Sequence, residues 1–123
     1  MKKFLLIGFW VLIFQPISAG DEFCGIRNRA FEEGESISYN VFYSVIGLYV
    51  NAGTANFSVS LNKMNNRIAY HVVGKGNSNP SYDWIFKVRD RYESYIDTTN
   101  LQPLKFIRDI EEGGYKKFEN ITF

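Results

Sequence analysis

The chain has one cysteine, one histidine, three prolines and almost no excess of either charge. Each shortage excludes something. With Cys24 as the only cysteine, neither an internal disulfide framework nor a thiolate zinc site can be assembled from this sequence. His71 is the only histidine and has no metal-ligating residue at the usual spacing, so no metal site and no cofactor are expected. The common nucleophilic triads also lack their base, and no catalytic constellation is visible. His71 therefore reads as a strand residue facing water or a neighbour. Basic and acidic residues number 14 and 13 and are interleaved along the chain. A nucleic-acid partner needs a basic stripe that neutralises phosphates, and none is present.

Long apolar runs are also scarce. The single one, Phe4 to Phe14, falls short of the roughly 18 residues that a spanning helix needs. Lys2 and Lys3 precede it, and small residues lead up to Ala19 and Gly20. That order is a secretory signal peptide over residues 1–20, cleaved after Ala19 or Gly20, which leaves no stable transmembrane anchor. Loss of Lys2 and Lys3 takes the formal charge from +1 to −1. Cys24 follows Phe23 rather than a small residue, so lipid attachment is not expected. A disulfide is the favoured fate of this exported thiol, within a longer chain or between chains, with a free thiol as the alternative. The strand pattern running into Phe123 has no turn or polar tail, which suggests the N-terminal portion of a longer domain over residues 21–123.

What the sequence has in quantity is aromatic residues, at 17% with 11 Phe and 8 Tyr. They favour strands and large buried areas. From Glu35 to Val50, Ile37, Tyr39, Val41, Tyr43 and Val45 alternate with Ser36, Ser38, Asn40, Phe42 and Ser44, the period of a half-buried antiparallel strand. Leu48 to Gly53 reads as a turn or bulge. Ala55, Phe57, Val59 and Leu61 then repeat the alternation, Asn62 to Asn66 reads as a hairpin loop, and Arg67 to Gly74 forms a third strand. Gly74 to Ser78 lacks the Lys-Ser/Thr pair of a phosphate loop and reads as a flexible connection.

The most distinctive stretch is Tyr82 to Gly114. Asn79-Pro80 is a helix-start signal, so one short helix or helical turn is expected near residues 80–87, with Tyr82, Ile85 and Phe86 on one face. Two charged strands follow, Tyr92 to Asp97 and Leu104 to Asp109. Pairing Asp97 with Leu104 would set Glu93 opposite Arg108 and Tyr95 opposite Phe106. Pairing Ile110 with Tyr115 would set Asp109 opposite Lys116 and Ile107 opposite Phe118. Opposite charges would then face one another in a structural ladder. The other reading of Arg89, Arg91 and Arg108 is a clamp for an anionic headgroup or carboxylate. The expected fold is mainly β, an antiparallel meander forming a strongly curved sheet or part of an open barrel. Its aromatic faces could make a plain core or enclose an apolar ligand.

Several of these residues carry a resemblance. Gly34-Glu35, Tyr39-Asn40-Val41, Ala52-Gly53, the run Val88 to Asp97, Leu101-Gln102-Pro103 and Glu112-Gly113-Gly114-Tyr115 resemble the bacterial family of unknown function DUF3108, in a version like those of Bacteroidetes. The resemblance implies an exported, mostly antiparallel β protein longer than this chain, and it brings no activity or functional residues. The expectation is a periplasmic, non-enzymatic protein of the cell envelope whose sheet binds a lipid or other apolar molecule. Trp84, Phe86, Arg89, Arg91 and Arg108 are the candidate contacts. The alternative is a scaffold that offers its sheet edge to another envelope protein.

Overall fold

The computed structural model describes residues 27–123, so the signal peptide expected over residues 1–20 and Cys24 lie outside the described residues. Six strands follow in chain order: β1 Ser36–Val45, β2 Leu48–Met64, β3 Arg67–Ser78, β4 Val88–Asp97, β5 Pro103–Glu112 and β6 Tyr115–Thr122. Each pairs antiparallel with the next, giving one sheet in the order β1 to β6 that does not close on itself. The expected open meander is the observed fold.

Turn chemistry sets the strand ends. Ile46 and Gly47 both take positive φ, 49° and 77°, as do Asn65 and Asn66 at 48° and 63°. Two-residue loops of this kind match the right-handed twist of a hairpin. The turns are therefore tighter than expected. Leu48 to Gly53 is not a turn but the start of β2, with the bulge where Val41 pairs with Gly53 and Phe42 with Asn51. In the same way the Asn62 to Asn66 loop shrinks to Asn65-Asn66, because Met64 pairs with Arg67.

Gly74 to Ser78 is not a flexible connection. It continues β3, with Gly74 opposite Phe57 and Asn77 opposite Arg89. The Phe57 ring lies over Gly74, 3.1 Å from where a Cβ would be, and covers backbone that the glycine leaves bare. The expected short helix or helical turn takes the shorter form. It is a 3-10 turn at Pro80–Tyr82, with the Asn79 side chain accepting from Ser81 N, followed by a turn in which Ile85 N donates to Tyr82 O.

Both charged hairpins differ in register from the sequence reading. Between β4 and β5, Tyr92 pairs with Arg108, Glu93 with Ile107 and Ser94 with Phe106, ahead of an irregularity between Tyr95 and Ile96. The shift by one residue puts Glu93 and Arg108 on opposite faces. Its source is that irregularity: beside the β4–β5 connection, where Leu101 takes a φ of 58°, Ile96 pairs with Pro103, two residues from its expected partner, and the extra residue Leu104 then leaves Tyr95 opposite Lys105, one residue from its expected partner. Between β5 and β6 the two-residue turn Gly113-Gly114 moves the pairing by two, so Asp109 meets Phe118 and Ile107 meets Asn120. An even shift leaves every side chain on its expected face.

Following these registers across the sheet sorts the side chains. One face carries Tyr39, Phe57, Val59, Tyr70, Val72, Tyr92, Phe106 and Ile110, while the other carries most of the serines, asparagines and charges. Yet among the described residues only Val59, Ala69, Val73 and Ile110 of the apolar ones are less than a tenth exposed, and no large side chain there is fully buried. Among the described residues no second layer covers the apolar face. The segment before β1 covers one end of it, where Phe31 meets Tyr70 edge-on at 5.1 Å and Gly34 N donates to Val59 O at 2.8 Å.

Gly53 marks the closest approach of backbones, since a Cβ there would lie 2.1 Å from Asn77 O. Gly53→Ala is expected to destabilise the protein by about 1–3 kcal/mol or more, as overpacking against fixed backbone does. Gly76→Ala should be tolerated, because its nearest neighbour is the Asp90 Cβ at 3.8 Å. Denaturant unfolding of the two variants side by side checks this.

Candidate functional site

The end of the apolar face away from Phe31 is hollow. Small residues occupy adjacent register positions there, Ala55 opposite Gly76 and Gly53 opposite Ser78, so the sheet surface is low. Around it stand Tyr43 and Leu48 from the β1–β2 hairpin and Tyr82, Ile85 and Phe86 from the turn between β3 and β4. Together they enclose an open groove of about 770 Å³ whose lining contains no charged side chain. That size suits a small-molecule site.

Hydrogen bonds hold the turn over the sheet. β2 runs beyond the end of β3, and Asn79 N donates to Ala52 O at 2.7 Å while Asn79 Nδ2 donates to Asn51 O at 3.3 Å. At its foot the Ser78 hydroxyl donates to Asp83 and accepts from Val88 N at 2.9 Å and Arg89 Nη1 at 2.8 Å. Arg89 also pairs with Asp83. The Ser78 and Arg89 bonds hold the Asp83 carboxyl below its usual range. On the far side Gly113 N donates to Lys87 O at 2.8 Å, and the Phe86 ring occupies the space beside Gly113. The groove wall is thus tied to β2, β4 and the β5–β6 turn.

The structure separates the five residues singled out from the sequence. Phe86 lines the groove. Trp84 stands next to it but outside the lining, with its indole N–H donating to Ser81 O at 3.0 Å. Arg89 and Arg91 border a different feature, a polar cleft of about 310 Å³ shared with Lys75, Lys116, Asp109 and Glu111. Arg108 lies on the apolar face, paired with Glu119 of β6. The three arginines therefore form no common clamp. Tyr43, Leu48, Ala55 and Gly76 were not singled out. The signal for the first three is the absence of any charged residue from Ser36 to Asn62, an uncharged stretch that no single strand pattern reveals, while Gly76 is brought to the groove only by its pairing with Ala55.

The charged residues form small groups around shared carboxylates, Glu93, Glu111 and Glu119, rather than a continuous β4–β5 ladder. Arg67 meets Asp97 at 3.4 Å, and Arg91 Nε donates to Glu93 Oε1 at 2.6 Å. His71 does face a neighbour, with Nε2 2.6 Å from Glu93 Oε2 and its ring stacked on Tyr95 at 4.4 Å. Asp90 differs from the others. Its Oδ1 is buried without a partner, and burial, with Glu112 beside it, pushes its pKa up. No group of three or more His, Cys, Asp or Glu among the described residues converges as a metal site. No helix among them is long and apolar enough to cross a membrane.

The family model for DUF3108, a protein of unknown function, matches residues 32–123. The chain belongs to this family. No curated protein and no solved structure matches it.

The two carboxylates give opposite pH effects. Glu93 is held below its usual range by the Arg91 bond first and His71 second, so its contribution is complete at neutral pH and is lost as pH falls through the lowered folded pKa. Glu93→Gln should cost about 1–2 kcal/mol at pH 7, with the gap to the parent closing under acid conditions. Asp90→Asn should be more stable than the parent at pH 7, with the gain disappearing as pH falls through the raised pKa. Urea unfolding from pH 7 to 3 checks both signs.

Proposed function

We propose that this chain is an exported protein of the bacterial cell envelope, periplasmic after removal of residues 1–20, that binds an apolar or amphipathic molecule and performs no chemistry on it. The observation that carries this reading is the groove, a hollow of about 770 Å³ with a lining free of charged side chains. A wall built from an anchored turn and a floor of small residues favour a preformed site over a loose patch. Export is supported by Lys2, Lys3, the apolar run Phe4 to Phe14 and the small residues at Ala19 and Gly20.

One observation favours a second reading, assembly with another envelope protein. β1 is an outer strand among the described residues and carries no charge or proline along Ser36–Val45. Natural edge strands usually bear such guards, and an unguarded edge can accept another strand.

Native mass spectrometry of protein purified gently from the periplasm tests both readings. A mass excess removed by organic extraction supports the groove, and a stoichiometric protein partner supports the edge. For the groove itself, Ala55→Phe should weaken binding of the apolar dye N-phenyl-1-naphthylamine at least tenfold by filling the floor. Arg91→Ala should leave that affinity unchanged. Equal dye binding by parent and Ala55→Phe would sink the proposal.

A further inference from the structure

The β1–β2 hairpin projects past the end of β3, and the β3–β4 turn sits beside it. Their tips expose apolar groups to an unusual degree. Ile46 is 98% exposed, Trp84 82% and Tyr49 80%, with Leu48 and Ile85 close behind. Isolated exposed apolar residues need no explanation, but a cluster on two adjoining tips at one end of the molecule does.

Three observations identify a partner for this end. First, it is free of charge over the whole hairpin, since no charged residue occurs from Ser36 to Asn62. Second, the one polar atom of the exposed Trp84 side chain is already satisfied by Ser81 O, so the indole can leave water without losing a hydrogen bond. Third, lysines stand on the shoulder behind the tips. Lys87 precedes β4, and Lys116 follows the adjoining Gly113-Gly114 turn. Both are held loosely by Glu111, at 3.4 and 3.7 Å. A protein partner would require directional polar contacts around the apolar centre. A lipid bilayer requires an uncharged tip, tryptophan and tyrosine at the interface, and long cationic side chains that reach phosphates above it.

We propose that this end of the sheet inserts into the interface of a lipid bilayer, with Ile46, Leu48 and Ile85 among the acyl chains, Tyr49 and Trp84 at headgroup depth, and Lys87 and Lys116 directed at lipid phosphates. The surface goes beyond the groove reading: Ile46, Leu48 and Ile85 also line the groove, but Trp84 and Tyr49 do not, and the contact with lipid needs no occupant in the groove. Insertion would bring the groove mouth, bordered by Ile46 and Leu48, against the lipid.

Tryptophan emission tests the contact directly. The sequence has two tryptophans, so Trp10→Phe in the full chain leaves Trp84 as the sole reporter. With vesicles of neutral phosphatidylcholine, Trp84 emission should shift to the blue and be quenched by lipids brominated close to the headgroup. Tyr49→Asp should reduce partition several-fold without altering dye binding in the groove. Tyr49→Asp combined with Ile46→Asp should reduce partition at least tenfold. Unshifted and unquenched emission overturns the proposal, even if the chain sediments with vesicles through its apolar Phe4 to Phe14 segment. Binding confined to anionic vesicles and abolished by salt overturns it too. A blue shift without lipid that grows with protein concentration would assign the tips to a second copy of the chain instead. Dye binding is measured without vesicles, so failure of the groove reading is seen separately.

Discussion

The period of two along a β-strand, carried through six strands in register, is the constraint on which this molecule depends. It gathers the aromatic and branched side chains onto one face and leaves the other largely polar. Sandwiches and barrels bury such a face against a second sheet or against themselves. Here the described residues supply only the Phe31 segment at one end and the aromatic turn at the other. An apolar face without a second layer among the described residues is the physical basis of the proposed binding function.

The aromatic turn converts an open face into a site with walls. Left free, a loop carrying Tyr82, Trp84, Ile85 and Phe86 would collapse onto the nearest apolar surface and fill the hollow. Asn79 on the β2 overhang, the Ser78–Asp83–Arg89 cluster at its foot and Gly113 on its far side hold it clear of Ala55 and Gly76. Polar contacts thus preserve an apolar space. This also gives Arg89 a supporting role. It fixes the wall, whereas Arg91 and Arg108 serve ion pairs elsewhere on the sheet.

Charge is distributed with similar consequence. Among the described residues, ion pairs concentrate in β3 to β6, where Glu93 of β4 meets His71 of β3 and is bonded along its own strand by Arg91. β1 and most of β2 contain none. The sheet is therefore polar and internally paired on one side of its length and uncharged on the other. The unguarded β1 edge and the β1–β2 tip lie in the uncharged part, and the groove lies between that part and the β3–β4 turn, whose Asp83 is paired with Arg89.

Much of the architecture was legible in the sequence. Alternation at Ile37 to Val45 and at Ala55 to Leu61, the asparagines and glycines at the turns, and the Asn79-Pro80 signal gave the strands, their order and the position of the aromatic turn. The run Val88 to Asp97, with its companions, gave the family. Two kinds of information were not local. Gly74 and Gly76 read as breaks because their place in β3 depends on Phe57 and Ala55 in β2 and on Tyr92 and Asp90 in β4. The β4–β5 register could not be read from charge matching, because the irregularity between Tyr95 and Ile96, with Leu104 as the extra residue, leaves the pairing one residue off and so exchanges faces. The sequence determined a mainly antiparallel protein with an aromatic turn, since those properties follow from local periodicity and turn chemistry. Only the tertiary structure decided that Phe86 meets Tyr43, Leu48, Ala55 and Gly76 around one groove while Arg89, Arg91 and Arg108 part company, because that grouping depends on register summed across several strands.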